Sequence, residues 1–271
     1  MKKVLFCIGF LVCALAHADT LDLARYTAVV TVSESRNIEV LASDNLSSRA
    51  LAVLGRASYD ADLTVADYLA VHSRQARRLE RMTLESRRGD TKFRSDGGVT
   101  VDFEFPILGP VMEQLLPEQV QPELLGRVAC PCCGQEWPEG QEVPPGVELV
   151  PYEDDDTPAY TGILVDARGL EFQPALFPKV VTETGDVVIG PDFADEDELA
   201  EKGAAGYYLD RNEALTGDRT GSNPLVVNAL SVAGRNRCDL VVNGAAAAEI
   251  HGSSLNLQHL AECRVGILVD R

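Results

Sequence analysis

The sequence predicts an α+β fold in two parts: a small domain of helices on an antiparallel sheet, then a strand-rich α+β domain. Three observations predict it. Val99, Val101, Phe103 and Phe105 alternate strictly with Thr100, Asp102 and Glu104, the period of a half-buried strand. Val65, Leu69, Ala76, Leu79 and Met82 recur at helical spacing. Beyond residue 158 several short β-branched runs follow one another without regular βαβ alternation.

The elements of the first part follow in order. Residues 26–32 are rich in β-branched side chains and suit a strand. Asp44 can cap a helix over 46–57, and Thr64 a second helix whose apolar stripe carries His72 and fades near Arg88. Residues 92–94, the turn Ser95-Asp96-Gly97-Gly98 and residues 99–107 read as a hairpin, with the side of Val99, Val101, Phe103 and Phe105 turned to the helices.

In the second part strands are expected over 160–167, 175–182, 187–189, 225–232, 239–242 and 264–269. The turn Glu183-Thr184-Gly185-Asp186 lies between the second and third. Short helices are expected at 195–202, 244–251 and 257–261. No internal repeat is visible. Residues 128–158 carry six prolines, several glycines and the acidic run 153–156. Proline lacks a backbone donor and resists both helix and central strand, so this stretch reads as an exposed linker. The expected organisation is 1–18, 19–127, 128–158 and 159–271.

Residues 1–18 have the three parts of a secretory signal. Lys2 and Lys3 open it, 4–16 are apolar, and Ala16-His17-Ala18 offers a cleavage site before Asp19. The apolar run is short for a membrane span, and no later run is long enough for one. Cys7 follows Phe6 and Cys13 follows Val12, whereas a lipid-accepting cysteine follows a small residue. The expected product is a secreted chain, free in the periplasm or outer envelope. The whole chain carries a formal net charge of −18, and most of it falls beyond residue 127, where 25 acidic residues face 9 basic ones. Such a chain is repelled by phosphates, which argues against a nucleic-acid partner.

Five cysteines remain after residue 18: Cys130, Cys132, Cys133, Cys238 and Cys263. In an oxidising compartment disulfides are the default, and an odd number leaves one thiol over. Cys130-Pro131-Cys132-Cys133-Gly134 has the Cys-x-x-Cys spacing and the Pro and Gly of a metal knuckle. A structural zinc ion needs four ligands, and only Cys132, Cys238, Cys263, His72, His251 and His259 are left to complete such a set. Three readings stay open: a local disulfide or structural thiols, a zinc site, and a redox pair. Zinc is the one cofactor with residues to suggest it. Cys238 and Cys263 each precede an expected strand, and a disulfide between them is expected if those strands are neighbours.

Arg74, Arg77, Arg78 and Arg81 lie mostly along one helical face. That face is a candidate interaction surface for an acidic partner, the second domain included, against the plainer reading of solvated ion pairs with Glu80 and Glu85. The acidic runs 153–156 and 195–198 lack the spacing of a calcium loop and read as solvated charge. Asp166 and Arg168 read as an edge-of-strand ion pair. Catalytic groups are sparse: there is no Gly-x-Ser-x-Gly, no His-Glu-x-x-His and no phosphate loop. Three histidines and three lysines (Lys92, Lys179, Lys202) remain after residue 18. No catalytic residue is assigned, and an enzyme is not expected.

Two stretches carry a resemblance. Residues 49–117, with Ser95-Asp96-Gly97-Gly98-Val99-Thr100-Val101, Pro106-Ile107-Leu108-Gly109-Pro110 and Leu115-Leu116-Pro117, resemble the small bacterial envelope lipoprotein family that includes the flagellar outer-membrane proteins FlgP and FlgT. Tyr160-Thr161-Gly162-Ile163-Leu164-Val165-Asp166-Ala167-Arg168-Gly169-Leu170, Pro174-Ala175-Leu176-Phe177-Pro178-Lys179, Asn223-Pro224-Leu225-Val226-Val227 and Glu262-Cys263-Arg264-Val265 look like a segment that follows such domains in uncharacterised exported proteins. The resemblance implies helices packed on a small sheet, and a non-catalytic envelope or appendage part that works by contact with envelope proteins or by self-assembly. The chain departs from the family in having no lipid-accepting cysteine. The function expected from sequence is therefore a non-enzymatic envelope protein in a flagellar or cell-surface assembly. The alternative is a periplasmic thiol or metal protein acting through Cys130, Cys132 and Cys133.

Overall fold

The computed structural model describes residues 19–34, 43–82, 84–93, 95, 97–120, 122–138, 140–153 and 158–270, without the side chains of 33, 34 and 43–45. The signal-like segment 1–18, the Asp44 side chain, part of the 95–98 turn and residues 154–156 lie outside that description. The α+β class holds.

In the first body the strands are β1 (Thr20–Asp22), β2 (Thr27–Glu34), β3 (Arg87–Phe93) and β4 (Val99–Pro106). They form an antiparallel sheet in the order β1-β2-β4-β3. The helices α1 (Ser43–Leu54), α2 (Val65–Val71) and α3 (Ser73–Arg81) separate β2 from β3. Leu46, Ala50 and Val53, spaced four and three apart on α1, pack on Ala28, Val30, Val32 and Phe105. Val101 and Phe105 are buried and Phe103 packs at the rim of this cluster, on the side the alternation predicts, while Thr100 of the opposite side is buried as well. Thr64 and Asp67 close a capping box: the Thr64 hydroxyl accepts from the Asp67 amide, and the Asp67 carboxylate accepts from the Thr64 amide at 3.0 Å.

The expected second helix is broken at His72, whose backbone (φ −103°, ψ 62°) is not helical. Its ring stacks on Tyr68 at 4.0 Å, and its Nδ1 sits 2.8 Å from the Tyr68 carbonyl. That carbonyl already accepts the His72 amide, so the imidazole ends α2 as a cap and is not the packed core residue the stripe suggested. After the break, α3 buries Leu79 and leaves its arginines outside.

The second body begins with β7 (Ile163–Asp166), after a short hairpin of β5 (Val128–Ala129) and β6 (Val150–Pro151). The first body ends with the short α4 (Pro110–Glu113). Next come β8 (Val180–Thr182), β9 (Val187–Ile189), α5 (Glu196–Lys202), β10 (Gly206–Tyr208) and α6 (Arg211–Thr216). The chain then forms β11 (Leu225–Asn228), β12 (Ser231–Ala233), β13 (Asp239–Val242), α7 (Gly244–Ile250), α8 (Ser254–Ala261) and β14 (Val265–Leu268). One sheet, β10-β14-β7-β11, is parallel throughout. The other, β12-β13-β8-β9, is parallel at β13/β8 and antiparallel at its edges.

A repeat is present after all. A β–β–α–β path runs through β7, β8, α5 and β10, and again through β11, β13, α7 with α8, and β14. Each strand pairs in parallel with its counterpart: β7 with β11, β8 with β13, β10 with β14. The two copies join their first strands differently, by an irregular loop in one and by the β12 hairpin in the other, so no fixed spacing betrays them. Ile163, Leu164 and Val165 are all buried, as are all four residues of β14, which is what a parallel sheet covered on both faces requires.

The two bodies are not beads on a linker. One apolar cluster contains Tyr26, Tyr59, Leu79 and Met112 from the first and Phe177, Leu199, Tyr207 and Ile267 from the second. The Tyr26 hydroxyl donates to Ala205 O at 2.8 Å, and the Gly109 amide to Ala200 O at 2.7 Å. The amides of Leu176 and Phe177 donate to the carbonyls of Ser58 and Tyr59, and the Asn236 side chain donates to those of Asp60 and Leu63. Gly203 ends α5 at φ +73°, and a Cβ there would lie 2.7 Å from Tyr26 Oη. Arg219 completes this junction by donating to Cys263 O, Lys202 O and Gly203 O.

Two measurements test these contacts. Gly203→Ala is expected to lose about 3 kcal/mol in urea unfolding, since it combines a strained φ with overlap of the Tyr26 ring. Gly140→Ala, at φ +74° with nothing within 4 Å, pays only for its φ, about 1 kcal/mol. Burial pushes the Asp239 carboxyl up to about 6 from 3.8; the Lys179 amide and charge oppose this, and Asp60 and Asp62 add to it. A raised carboxyl pKa means that the folded chain holds a proton the unfolded chain has released, so this contribution is full below about 4 and is lost as pH rises through 6. Asp239→Asn is therefore expected to raise stability by about 1–2 kcal/mol at pH 8, and thermal melts are expected to show that gain vanish near pH 4.

Candidate functional site: the cysteine knuckle and its strap

The pairing of β5 and β6 joins Val128 to Pro151 and Ala129 to Val150, so the chain between them leaves the body as a strap. Pro131, Pro138, Pro144 and Pro145 keep it out of regular structure. At its start the chain folds back tightly. The Gly134 amide donates to Cys130 O and the Cys130 amide to Gln135 O, both at 2.9 Å, and Gly134 takes φ +70°. This turn aims the amides of Cys132 and Cys133 at the Cys130 sulfur, with the Cys133 and Cys132 thiols also within hydrogen-bonding reach. The Cys132 amide, then the Cys133 amide and thiol, stabilise a thiolate and hold the Cys130 pKa below its ordinary value of 9.0. Cys132 and Cys133 are exposed and Cys130 is half-buried.

Behind the knuckle lies an open groove of about 1200 Å³, lined in part by Arg127, Trp137, Val143, Leu149, Tyr152 and Ala248. Arg127 makes a two-pronged ion pair with Glu136 (2.8 and 3.2 Å) and lies 4.3 Å above the Tyr152 ring. The Arg127 guanidinium in turn holds the Glu136 carboxyl below its ordinary pKa. Trp137 Nε1 donates to Gln141 O at 3.0 Å, so the tryptophan is oriented by the strap itself. Sequence reasoning missed this groove. The available signal was the chain's one tryptophan standing in a Pro/Gly/Glu-rich run.

The other candidate residues are dispersed. Cys238 and Cys263 are buried free thiols at the starts of β13 and β14, strands of different sheets, so the condition for the expected disulfide is not met. Burial pushes their pKa values up to about 12 and about 11. The histidines that were to complete a metal set are engaged elsewhere. His251 Nδ1 accepts from the Leu125 amide at 2.9 Å, so the proton lies on Nε2, which donates to Val188 O at 2.8 Å; burial lowers its pKa. His259 Nε2 lies 2.9 Å from Tyr160 O, and His72 caps α2. Among the described residues no group of three or more His, Cys, Asp or Glu is placed to hold a metal ion. The knuckle therefore gains no ligand from the rest of the chain among the described residues.

Arg74, Arg77, Arg78 and Arg81 are all exposed, and Arg78 reaches Gln114 at 3.3 Å. The second body meets the first through Tyr26, residues 58–63 and α4, so this arginine face is not its dock. Asp166 and Arg168 form the expected ion pair, with Arg168 Nε 2.8 Å from Asp166 Oδ1. Of the acidic runs, 195–198 opens α5 without a side-chain cap bond from Asp195, Glu198 pairs with Lys202, and Glu153 accepts from the Ser254 amide at 2.6 Å.

The thiol environments predict an order of reactivity. Brief iodoacetamide treatment of the folded, reduced chain at pH 8 is expected to label Cys130 while sparing Cys238 and Cys263, which become labelled only in denaturant. Peptide mass mapping reads the result directly.

A comparison with curated proteins finds no match to the chain. Residues 162–271 match the family described as the second domain of Treponema pallidum Tp0624. The match begins one residue before β7 and covers the strands of both larger sheets of the second body, while the first body, the knuckle and the strap lie outside it. The second body is thus similar to that domain.

Proposed function

We propose that this chain is a non-enzymatic exported protein of the bacterial envelope that acts by binding other proteins, with the strap 127–152 as its contact surface. One observation carries the reading: the exposed thiols and the half-buried tryptophan gather on a strap outside the packed body, while His251, His259 and the two other cysteines serve the core. The signal-like residues 1–18 support export. No helix among the described residues is long and apolar enough to cross a membrane. The resemblance of residues 49–117 to the family of FlgP and FlgT supports a flagellar or cell-surface setting. A second reading, a periplasmic thiol or metal protein, is favoured by the amides gathered around Cys130.

In the source bacterium, deletion of the gene is expected to impair motility or envelope integrity. A chain in which residues 130–149 are replaced by a short Gly/Ser turn is expected to fold, yet fail to restore either. Restoration by that strapless chain, or no defect on deletion and no co-purifying envelope protein, overturns the binding reading. Replacing Cys130, Cys132 and Cys133 together by Ser separates the two readings: the triple variant restores function if protein contacts suffice and fails if the thiols carry it.

A further inference from the structure

We infer that the cleft between the two bodies, at the carboxyl ends of β10, β14 and β7, binds a small organic cation: an amine on an apolar or aromatic body.

The cleft stands where open parallel sheets take their ligands. The strand order β10-β14-β7-β11 sets three parallel strand ends side by side. The chain just beyond each of them lines the cleft: Leu209 after β10, Asp270 after β14, and the loop from Gly169 to Pro174 after β7. Ligands of such sheets sit in the crevice outside the carboxyl ends of the strands. The first body supplies the facing wall with residues 21–24, from β1 and the turn after it. The open space is about 880 Å³, the size of a small-molecule site, and it lies at a junction of bodies as many such sites do.

The floor is apolar. Leu23, Phe172, Tyr207 and Val269 line it, each at most 9% exposed. The Tyr207 hydroxyl donates to Ala175 O at 2.6 Å and accepts from the Ala175 amide at 3.1 Å, so its polar capacity is spent inside the body. Leu209 stands at the mouth, 54% exposed, and a ligand's apolar body would take it out of water.

The charged lining is one-sided. The carboxylates of Asp22, Glu171 and Asp270 face the single guanidinium of Arg237. Arg237 is already held by Glu171 at 2.6 Å, and neighbouring Arg168 by Asp166 at 2.8 Å. Arg25 is mostly in solvent, 3.9 Å from Asp22. The Gly169 amide donates to Asp270 Oδ2 at 2.6 Å, which fixes that carboxylate at the end of β14 and leaves its other oxygen to a ligand. Acceptors above an apolar floor call for a ligand that brings donors and positive charge, and they repel an anion. Glu171 and Arg237 also hold left-handed backbone, φ +37° and +55°, rare for residues with a Cβ. Their ion pair is largely exposed and adds little stability, while such conformations gather at ligand clamps. The cleft shares no residue with the strap, so the two readings stand or fall separately.

The test uses the exported chain with phenethylamine hydrochloride as the probe, and 2-phenylethanol and 3-phenylpropionate as its neutral and anionic counterparts. Amide NMR titration gives both affinity and place. Saturable shifts at Gly169, Phe172 and Asp270 are expected with the amine, binding about tenfold weaker with the alcohol, and none with the propionate. Asp270→Asn keeps an oxygen for the Gly169 amide but removes the charge, and is expected to weaken the amine about tenfold. Ala24→Trp fills the cleft from an exposed position and is expected to abolish binding while its thermal melt stays that of the parent. In the parent chain the emission of Trp137, the one tryptophan, is expected to stay unchanged, because it reports on the strap groove. No saturable shift with the amine, equal binding of all three probes, binding that survives Ala24→Trp, or shifts centred on the strap overturns the inference.

Discussion

Where the Tyr26 ring crosses Gly203, the two halves of this chain become one body. The crossing is close enough that only a glycine fits beneath the ring, and the Tyr26 hydroxyl then reaches the carbonyl of Ala205. Arg219 satisfies three carbonyls around the same point, two of them at the end of α5, where a helix leaves its last acceptors unpaired. A half-buried guanidinium with its donors spent on backbone fixes direction, so α5 ends where the first body needs it. From this junction a single apolar cluster extends through Tyr59 and Phe177 on one side and through Leu199 and Ile267 on the other. The strap leaves a body that is already closed. Its shape is therefore set by its own contacts, Arg127 to Glu136 and Trp137 to Gln141, and by its seat on α7.

Local signals in the sequence were legible where the residues that decide them are neighbours. The strand from Val99 to Phe105 and the Thr64 cap depend on side chains within a few positions, and both form there. The break at His72 depends on a ring stack and a bond from the imidazole to a carbonyl one turn back, which an apolar stripe does not encode. The parallel pairing of β7 with β11 and β14 joins residues 62 and 102 positions apart in strands of four residues. Strands this short carry burial but not partner identity, so the second body's class could be read and its topology could not. Strand β10 and helix α6 were missed for the same reason: each is brief, and each is specified by what it packs against.

The cysteines make the same point for chemistry. All five have one side chain, yet their places in the fold divide them into two sets. Burial disfavours the charged form of Cys238 and Cys263, and so makes them small apolar residues of the core. Two amides do the reverse for Cys130. The knuckle was legible because its Pro, its Gly and its spacing are local. The fates of Cys238 and Cys263 were not, because those depend on which sheet each following strand enters.

Charge decides what kind of contact such a chain can make. The excess of acidic residues lies in the second body and the strap, so a broad face-to-face contact between copies would bring like charge together over a wide area. In physiological salt that repulsion is screened beyond about 8 Å, which leaves contact at a projecting point far cheaper than contact across a face. A strap that carries its thiols outward, with open space at Gly134, is a contact of that kind. The same acidity that opposes adhesive faces therefore favours a small contact at a projecting point.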